Sequence, residues 1–332
     1  MIRLKATLII LILVSFLVSA AGCEPTYPKE KFKESIIRIC KKEYKLDVKV
    51  ITVGKTIAIY VPLQDLLDFT FAITQTASEK INDVILSVSR VALSSNADYD
   101  FYCVIAHDIR IPEIQIVIIK SVEDVKRFLL NDISRGEYSK RMLVDLRLNP
   151  QAQKEHAIKE VFEKMGLDRQ WQDNVMNDFF RSEPTVLGDI GYWNGRFYMK
   201  EVTLPEFLAE QIANRIKIEF RENKDLASNF IVRSAKGSYA SKQDKGYFKL
   251  ELFVVPKWLK EFGGEADAAK FFQAALDVAS QVIHGYDFKN FDFVEVLNES
   301  DGKILRVPKN ELDAFRRKKI KMEDLLKEYV VL

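Results

Sequence analysis

The chain has 332 residues, 48% of them hydrophobic and 30% charged, which suits one large or two ordinary domains with a sizeable core and excludes a disordered or low-complexity chain. Its 50 basic side chains against 48 acidic ones leave a formal charge of +2, too small an excess for a general nucleic-acid binder that must neutralise phosphates. Three cysteines are too few for a disulfide-built scaffold.

In chain order, Arg3 and Lys5 come first, with no acid near them. An apolar run from Ala6 to Val18 follows, then the small residues Ser19, Ala20, Ala21 and Gly22, then Cys23. This order is that of a secretory signal, and the run is shorter than the roughly 20 residues a spanning helix needs. The segment Ala20-Ala21-Gly22-Cys23 resembles the lipobox of bacterial lipoproteins. The resemblance implies transfer of diacylglycerol to the Cys23 thiol, cleavage before it and acylation of the new amino end. It departs from the family at Ala20, where Leu is usual. Two other fates use the same residues: cleavage after Ala21 by ordinary signal peptidase, which leaves Cys23 a free thiol, or retention of the segment as an uncleaved anchor.

On the lipidated reading, residues 1–22 are a signal peptide and 23–28 a short tether. The protein is then held to a membrane by its N-terminal lipid, in the cell envelope, facing the periplasm or the exterior. Glu24 stands where some lipoproteins kept in the inner membrane carry Asp, which leans toward the outer membrane in a host that has one. The tether is too short to reach far from the bilayer. Cys40 and Cys103 remain. An even pair in an oxidising compartment is a candidate disulfide, and both residues also suit a core as small hydrophobes.

Phe32, Ile36, Ile39, Cys40 and Tyr44 fall at helical spacing and predict a helix over 29–44. Strands are expected at 46–53 and 56–61, joined by Gly54-Lys55 and stopped by Pro62. Thr76 and Glu79 read as a capping box opening a helix to about Leu93. Strands at 101–106 and 114–119 follow, then a helix opened by Ser121 that continues to about Met142 with a break near Gly136. After residue 204 the same order returns: a helix at 207–220, strands at 230–233 and 248–255, a helix at 266–283, strands at 291–297 and 304–307, and a last helix at 311–329.

Three local matches support a repeat. Tyr60-Val61-Pro62 pairs with Val254-Val255-Pro256, Tyr99-Asp100-Phe101 with Phe291-Asp292-Phe293, and Val125, Phe128 and Ile133 with Leu312, Phe315 and Ile320. The expected fold class is therefore α+β: a tandem duplication of an α-β-β-α-β-β-α unit, with mainly antiparallel sheets covered by helices. The first module spans 29–148 and the second 205–332. Between them, 149–204 forms a connector with a helix to Gly166, a second helical stretch to about Arg181, and a hairpin. Asn194-Gly195 between Tyr192-Trp193 and Phe197-Tyr198 is the strongest short hairpin signal in the chain.

The three histidines, His107, His156 and His284, belong to no His-Glu-x-x-His pattern, and no Gly-x-Ser-x-Gly or phosphate-binding loop occurs. No catalytic residue, metal ligand or cofactor is therefore assigned. His107-Asp108 at a strand end is the best polar pair for a general base, and a solvated loop start explains it equally simply. Cys103 and His107 share a strand face about 13 Å apart, too far for a dyad. His156 and Glu160 stand one helical turn apart, on a charged face. Arg316-Arg317-Lys318-Lys319 is either an exposed helix face or a contact for anionic headgroups. Tyr192, Trp193, Phe197 and Tyr198 either pack on the modules or offer an aromatic surface to an envelope protein or glycan. These features together fit a lipid-anchored, non-catalytic binding or scaffold module. The alternatives are an envelope hydrolase near His107 and Asp108, and a lipoprotein holding a small ligand between its two copies.

Overall fold

The computed structural model describes residues 26–166, 186–242, 245–257 and 265–331. The signal segment, the first half of the tether with Cys23, and the second helical stretch of the connector lie outside these residues.

Helix α1 (Phe32–Tyr44) buries Phe32, Ile36, Ile39 and Cys40 along one stripe and leaves its lysines outside. It ends where Lys45 turns left-handed at φ 60°, and the Leu46 amide donates to Cys40 O at 3.0 Å. Strands β1 (Lys49–Val53) and β2 (Thr56–Leu63) form a hairpin across Gly54-Lys55. Contrary to expectation, β2 runs through Pro62. Pairing with β1 stops at Lys49↔Tyr60, so the missing amide of Pro62 faces no partner strand. Helix α2 (Gln75–Leu93) is capped by Thr74, whose hydroxyl accepts from Ala77 N at 3.2 Å, and not by Thr76.

Strands β3 (Phe101–Asp108) and β4 (Ile114–Ser121) are followed by two short helices, α3 (Val122–Leu129) and α4 (Arg135–Lys140). A strand that the sequence reading did not foresee, β5 (Leu143–Leu148), then closes the sheet. The order is β1-β2-β3-β4-β5. Every pair is antiparallel except β2/β3, which α2 joins as a crossover.

Helix α5 (Pro150–Lys164) and the hairpin β6 (Gly191–Trp193) and β7 (Arg196–Tyr198) form the connector. The second half then holds α6 (Leu204–Glu222), α7 (Lys224–Asn229), β8 (Phe230–Lys242), β9 (Lys245–Pro256), α8 (Glu265–Gly285), β10 (Phe293–Asn298), β11 (Ile304–Pro308), α9 (Lys309–Arg316), α10 (Met322–Tyr329) and β12 (Val330–Val331). Its sheet has the order β8-β9-β10-β11-β12, again antiparallel except for one parallel pair, β9/β10.

The repeat extends to single hydrogen bonds. Asp100 N donates to Lys55 O, and Asp292 N to Gly246 O. Val122 N donates to Asp100 O, and Lys309 N to Asp292 O. Asn131 and Lys318 both turn left-handed, at φ 59° and 57°, after α3 and α9. Two of the three sequence matches lie in this structural register. The third does not: Thr56 pairs with Phe101 where Tyr247 pairs with Phe293, so Tyr60-Val61-Pro62 lies level with Glu251-Leu252-Phe253.

Helices α1 and α2 cover one face of the first sheet, over Ile57, Ile59, Val61, Tyr102 and Val104. The opposite face, with Ala58, Phe101, Cys103, Ile105 and Val117, joins a single core with α6, α8 and the helix-facing side of the second sheet. Helix α6 therefore lies between the sheets and buries Phe207, Leu208, Ala209, Ile212 and Ala213 almost all round. Gly237 permits this: a Cβ there would stand 1.9 Å from Ala209 O. Cys40 belongs to the core under α1 and α2, whereas Cys103 points to the other side of the sheet. Both are buried free thiols, so the disulfide considered from sequence is not formed, because the sheet stands between them.

Candidate functional site

The connector hairpin turns as its sequence requires, with Asn194 at φ 46° and Gly195 at φ 81°. Tyr192, Phe197 and Tyr198 pack toward the first sheet, and Trp193 turns to α5. Tyr192 is buried, stacks on Tyr60 at 3.7 Å and accepts from Lys49 Nζ at 2.5 Å. Phe197, half-buried, packs edge-on against Tyr192. Trp193 Nε1 donates to Glu155 at 2.7 Å, and the Tyr198 hydroxyl donates to Asn149 Oδ1 at 2.5 Å. Asn149, itself fully buried, donates to Tyr192 O at 2.9 Å and to Gln115 at 3.2 Å. Buried polar groups need such partners, and here the hairpin and the sheet supply them to each other. Tyr192, Phe197 and Tyr198 thus act as a cover on the sheet, and Trp193 ties the hairpin to α5.

At the end of β3, His107 and Asp108 diverge, as adjacent strand residues do. His107 is buried edge-on to Tyr60, with ring centroids 5.4 Å apart, and its Nδ1 has no hydrogen-bond partner. Burial holds its pKa below the ordinary histidine value. The Asp108 carboxylate accepts from Leu66 N at 2.9 Å, Arg110 N at 2.9 Å and Arg110 Nε at 3.5 Å. Burial opposes its charge, but these donors outweigh burial and hold its pKa below the usual range. Its acceptor capacity is spent on loops and not on orienting the imidazole. His156 lies 3.6 Å from Glu113 on an exposed face. Among the described residues no group of three His, Cys, Asp or Glu side chains is placed to hold a metal ion.

What Asp108 does is clamp two loops together, 64–74 and 109–113. Arg110 reaches across to Asp65 at 2.7 Å, and Ile109 N donates to Leu63 O at 2.9 Å. Within the longer loop, Asp68 accepts from Thr70 N, Thr70 Oγ1 and Ala72 N at 2.8, 2.6 and 3.0 Å. Leu67 bridges Ile73, and Phe71 is held left-handed at φ 61°. The outcome is a braced tip that turns apolar side chains outward. Phe69 is 95% exposed and Phe71 70%, with Ile73, Ile109 and Ile111 also exposed beside them. A bulky residue at positive φ and a cluster of bare apolar side chains are costs that folding alone does not explain.

The tip lies far from the start of the described chain. Tyr27 pairs with Ser95 just beyond the C-terminal end of α2, and the loop 64–74 leads into its N-terminal end. The 19 residues of α2 separate the two by roughly 28 Å. Sequence reading passed over Phe69-Thr70-Phe71. The available signal was two aromatics and an Asp in the stretch between a strand and a helix cap.

Between the two halves lies a small cleft of about 130 Å³, walled by Val117, Ile119 and Leu187 and lined by Arg147, Glu210 and Lys217. Burial raises the pKa of Glu210. The cleft is small and mixed in polarity, unlike the large apolar cavity that a ligand held between the copies would call for.

No family model and no curated protein matches the chain.

Proposed function

We propose that this chain is a lipid-anchored envelope protein that binds a protein partner through the apolar tip around Phe69 and Phe71. The observation that carries the reading is the braced exposure of these side chains, where three hydrogen bonds to Asp68 and the Asp108 clamp fix the loop in shape. Exposed aromatics on a rigid frame lose little conformational entropy on docking, which suits them to act as anchors in a partner's pocket. The N-terminal Cys23 lipid would hold the opposite end of α2 at the bilayer, so the tip would project away from it. Asp65 and Asp68 beside the aromatics also disfavour contact with an anionic membrane.

Two measurements test the parts separately. Palmitate labelling should be present in the native chain and lost in Cys23→Ser; labelling that persists overturns the anchor. A membrane crosslink to a defined partner should be lost in Phe69→Ser/Phe71→Ser at equal membrane abundance; an undiminished adduct overturns the tip.

A further inference from the structure

The second half carries a cationic bowl that neither the tip nor the core explains. It is a cavity of about 180 Å³ between the C-terminal end of α8 and helix α9, ringed by His284, Lys289, Lys309, Arg316 and Arg317. Only Asp287 and Asp313 offset these groups, and Asp287 is already paired with Lys289 at 3.0 Å. Lys309 is held in place by donating to Lys289 O and by lying over the Phe291 ring at 5.4 Å. The Nε of Arg316 is buried with no hydrogen-bond partner. Among the described residues neither Arg316 nor Arg317 forms an ion pair. A buried guanidinium N–H without an acceptor is costly, and the same guanidinium lines the bowl, where an anion would meet its terminal N–H groups.

The repeat shows that this chemistry is not a by-product of the fold. The matching bonds after α3 and α9 place Arg316 and Arg317 level with Leu129 and Leu130, and Lys309 level with Val122. The same backbone therefore carries leucines and a valine in one half and three cations in the other.

Position adds a second argument. Gly285, next in the chain to the lining residue His284, accepts from Arg127 and Arg141 of the first half, both at 3.1 Å. Arg127 stands on α3, whose first amide, Val122 N, donates to Asp100 O; Asp98 and Asp100 share the Lys55 ammonium close to Ser95, where Tyr27 pairs near the start of the described chain. The bowl therefore lies toward the end of the molecule at which the described chain starts, the end that an N-terminal lipid would hold near the bilayer, where exposed Leu129 and Leu130 also stand.

We propose that the bowl binds a phosphate ester, and specifically the phosphate of an anionic lipid headgroup. The lipid source rests on the anchored reading above; the phosphate chemistry does not. The test titrates the native full chain, in non-ionic detergent, with dihexanoyl phosphatidylglycerol, dihexanoyl phosphatidylcholine and inorganic phosphate. The expected order is phosphatidylglycerol binding at least tenfold more tightly than phosphatidylcholine. Arg316→Ser/Arg317→Ser should weaken that binding roughly thirtyfold, the worth of two side chains at an anionic surface. Arg316→Lys/Arg317→Lys should keep most of it, which separates loss of charge from loss of fold. Inorganic phosphate binding as tightly as phosphatidylglycerol would support the phosphate chemistry and assign the bowl to a soluble phosphate ester. Equal binding by the serine variant and the native chain would overturn the proposal. It would leave the tip untouched, because crosslinks through Phe69 do not pass through the bowl.

Discussion

The two sheets share strand order, pairing sense and several loop bonds, yet their outer faces meet different fates. In the first sheet that face carries Ala58, Tyr60, Phe101, Cys103 and Ile105, and the connector hairpin and α6 bury it. The structurally level residues of the second sheet are Lys249, Glu251, Phe293, Glu295 and Leu297, with Phe253 and Arg306 beside them. No described element packs on them. Lys249 pairs with Glu251 at 2.5 Å, Arg306 with Glu295 at 2.6 Å, and Tyr247 stacks on Phe293 at 4.6 Å, so the face satisfies itself in water. The difference follows from what each face meets: the first is closed by the hairpin and α6, which come next in the chain, and the second carries paired charges instead. The outer side of α1 is likewise polar, carrying its lysines. Features peculiar to one half, the Phe69 tip and the Arg316 bowl, are then the places to look for function.

The largest effect should come from cutting the link between the halves. Arg141 is 5% exposed and bonds Asp124 at 2.9 Å and Gly285 O at 3.1 Å, while the Tyr286 hydroxyl donates to Asp124 at 2.5 Å. Arg141→Met leaves the Asp124 charge buried without its partner and should cost about 4 kcal/mol in urea unfolding. Next comes the comparison of faces itself. Ile105→Ala empties a packed site on the covered face and should cost about 3 kcal/mol. Phe253→Ala, at the open face where Phe253 is 38% exposed, should cost less than about 1 kcal/mol. Equal losses would mean that the second face is covered in solution.

A smaller effect concerns the clamp under the tip. The folded pKa of Asp108 lies below its ordinary value, so its contribution is fully present above about pH 4 and is lost as pH falls through the folded value. Asp108→Asn should cost about 2 kcal/mol at neutral pH and flatten the acid limb of a stability–pH profile. The smallest effect sharpens the functional reading: Phe69→Ser/Phe71→Ser should leave stability within about 0.5 kcal/mol of native, because these side chains are bare.

Much of this organisation was legible in the chain. Asn194-Gly195 announced its hairpin because two adjacent left-handed residues leave few other sequences, and the match of Val125, Phe128 and Ile133 to Leu312, Phe315 and Ile320 reported a real structural register. The Pro62–Pro256 match misled, because proline marks a place where a partner strand is missing and not a fixed point in the repeat. Strand β5 was passed over although Val144, Leu146 and Leu148 alternate with Asp145 and Arg147 at strand spacing; the structure turns these three apolar side chains outward at an edge. That Tyr192 and Tyr198 face inward depends on Tyr60 and Asn149, which are distant in sequence. His107-Asp108 looked like chemistry because proximity in sequence hides the alternation that sends the two side chains apart. The tip escaped notice because exposure of Phe69 is decided by a loop fold that Asp68 and Asp108 build from several places in the chain.

The central claim is that the tip meets a protein on the side away from the bilayer. A photoreactive benzoylphenylalanine placed at position 69 of the lipid-anchored chain, activated in intact membranes, tests it directly. The account predicts a discrete protein adduct that Phe71→Ser weakens, and no lipid adduct. Labelling of lipid from position 69, or no adduct of either kind, would contradict it.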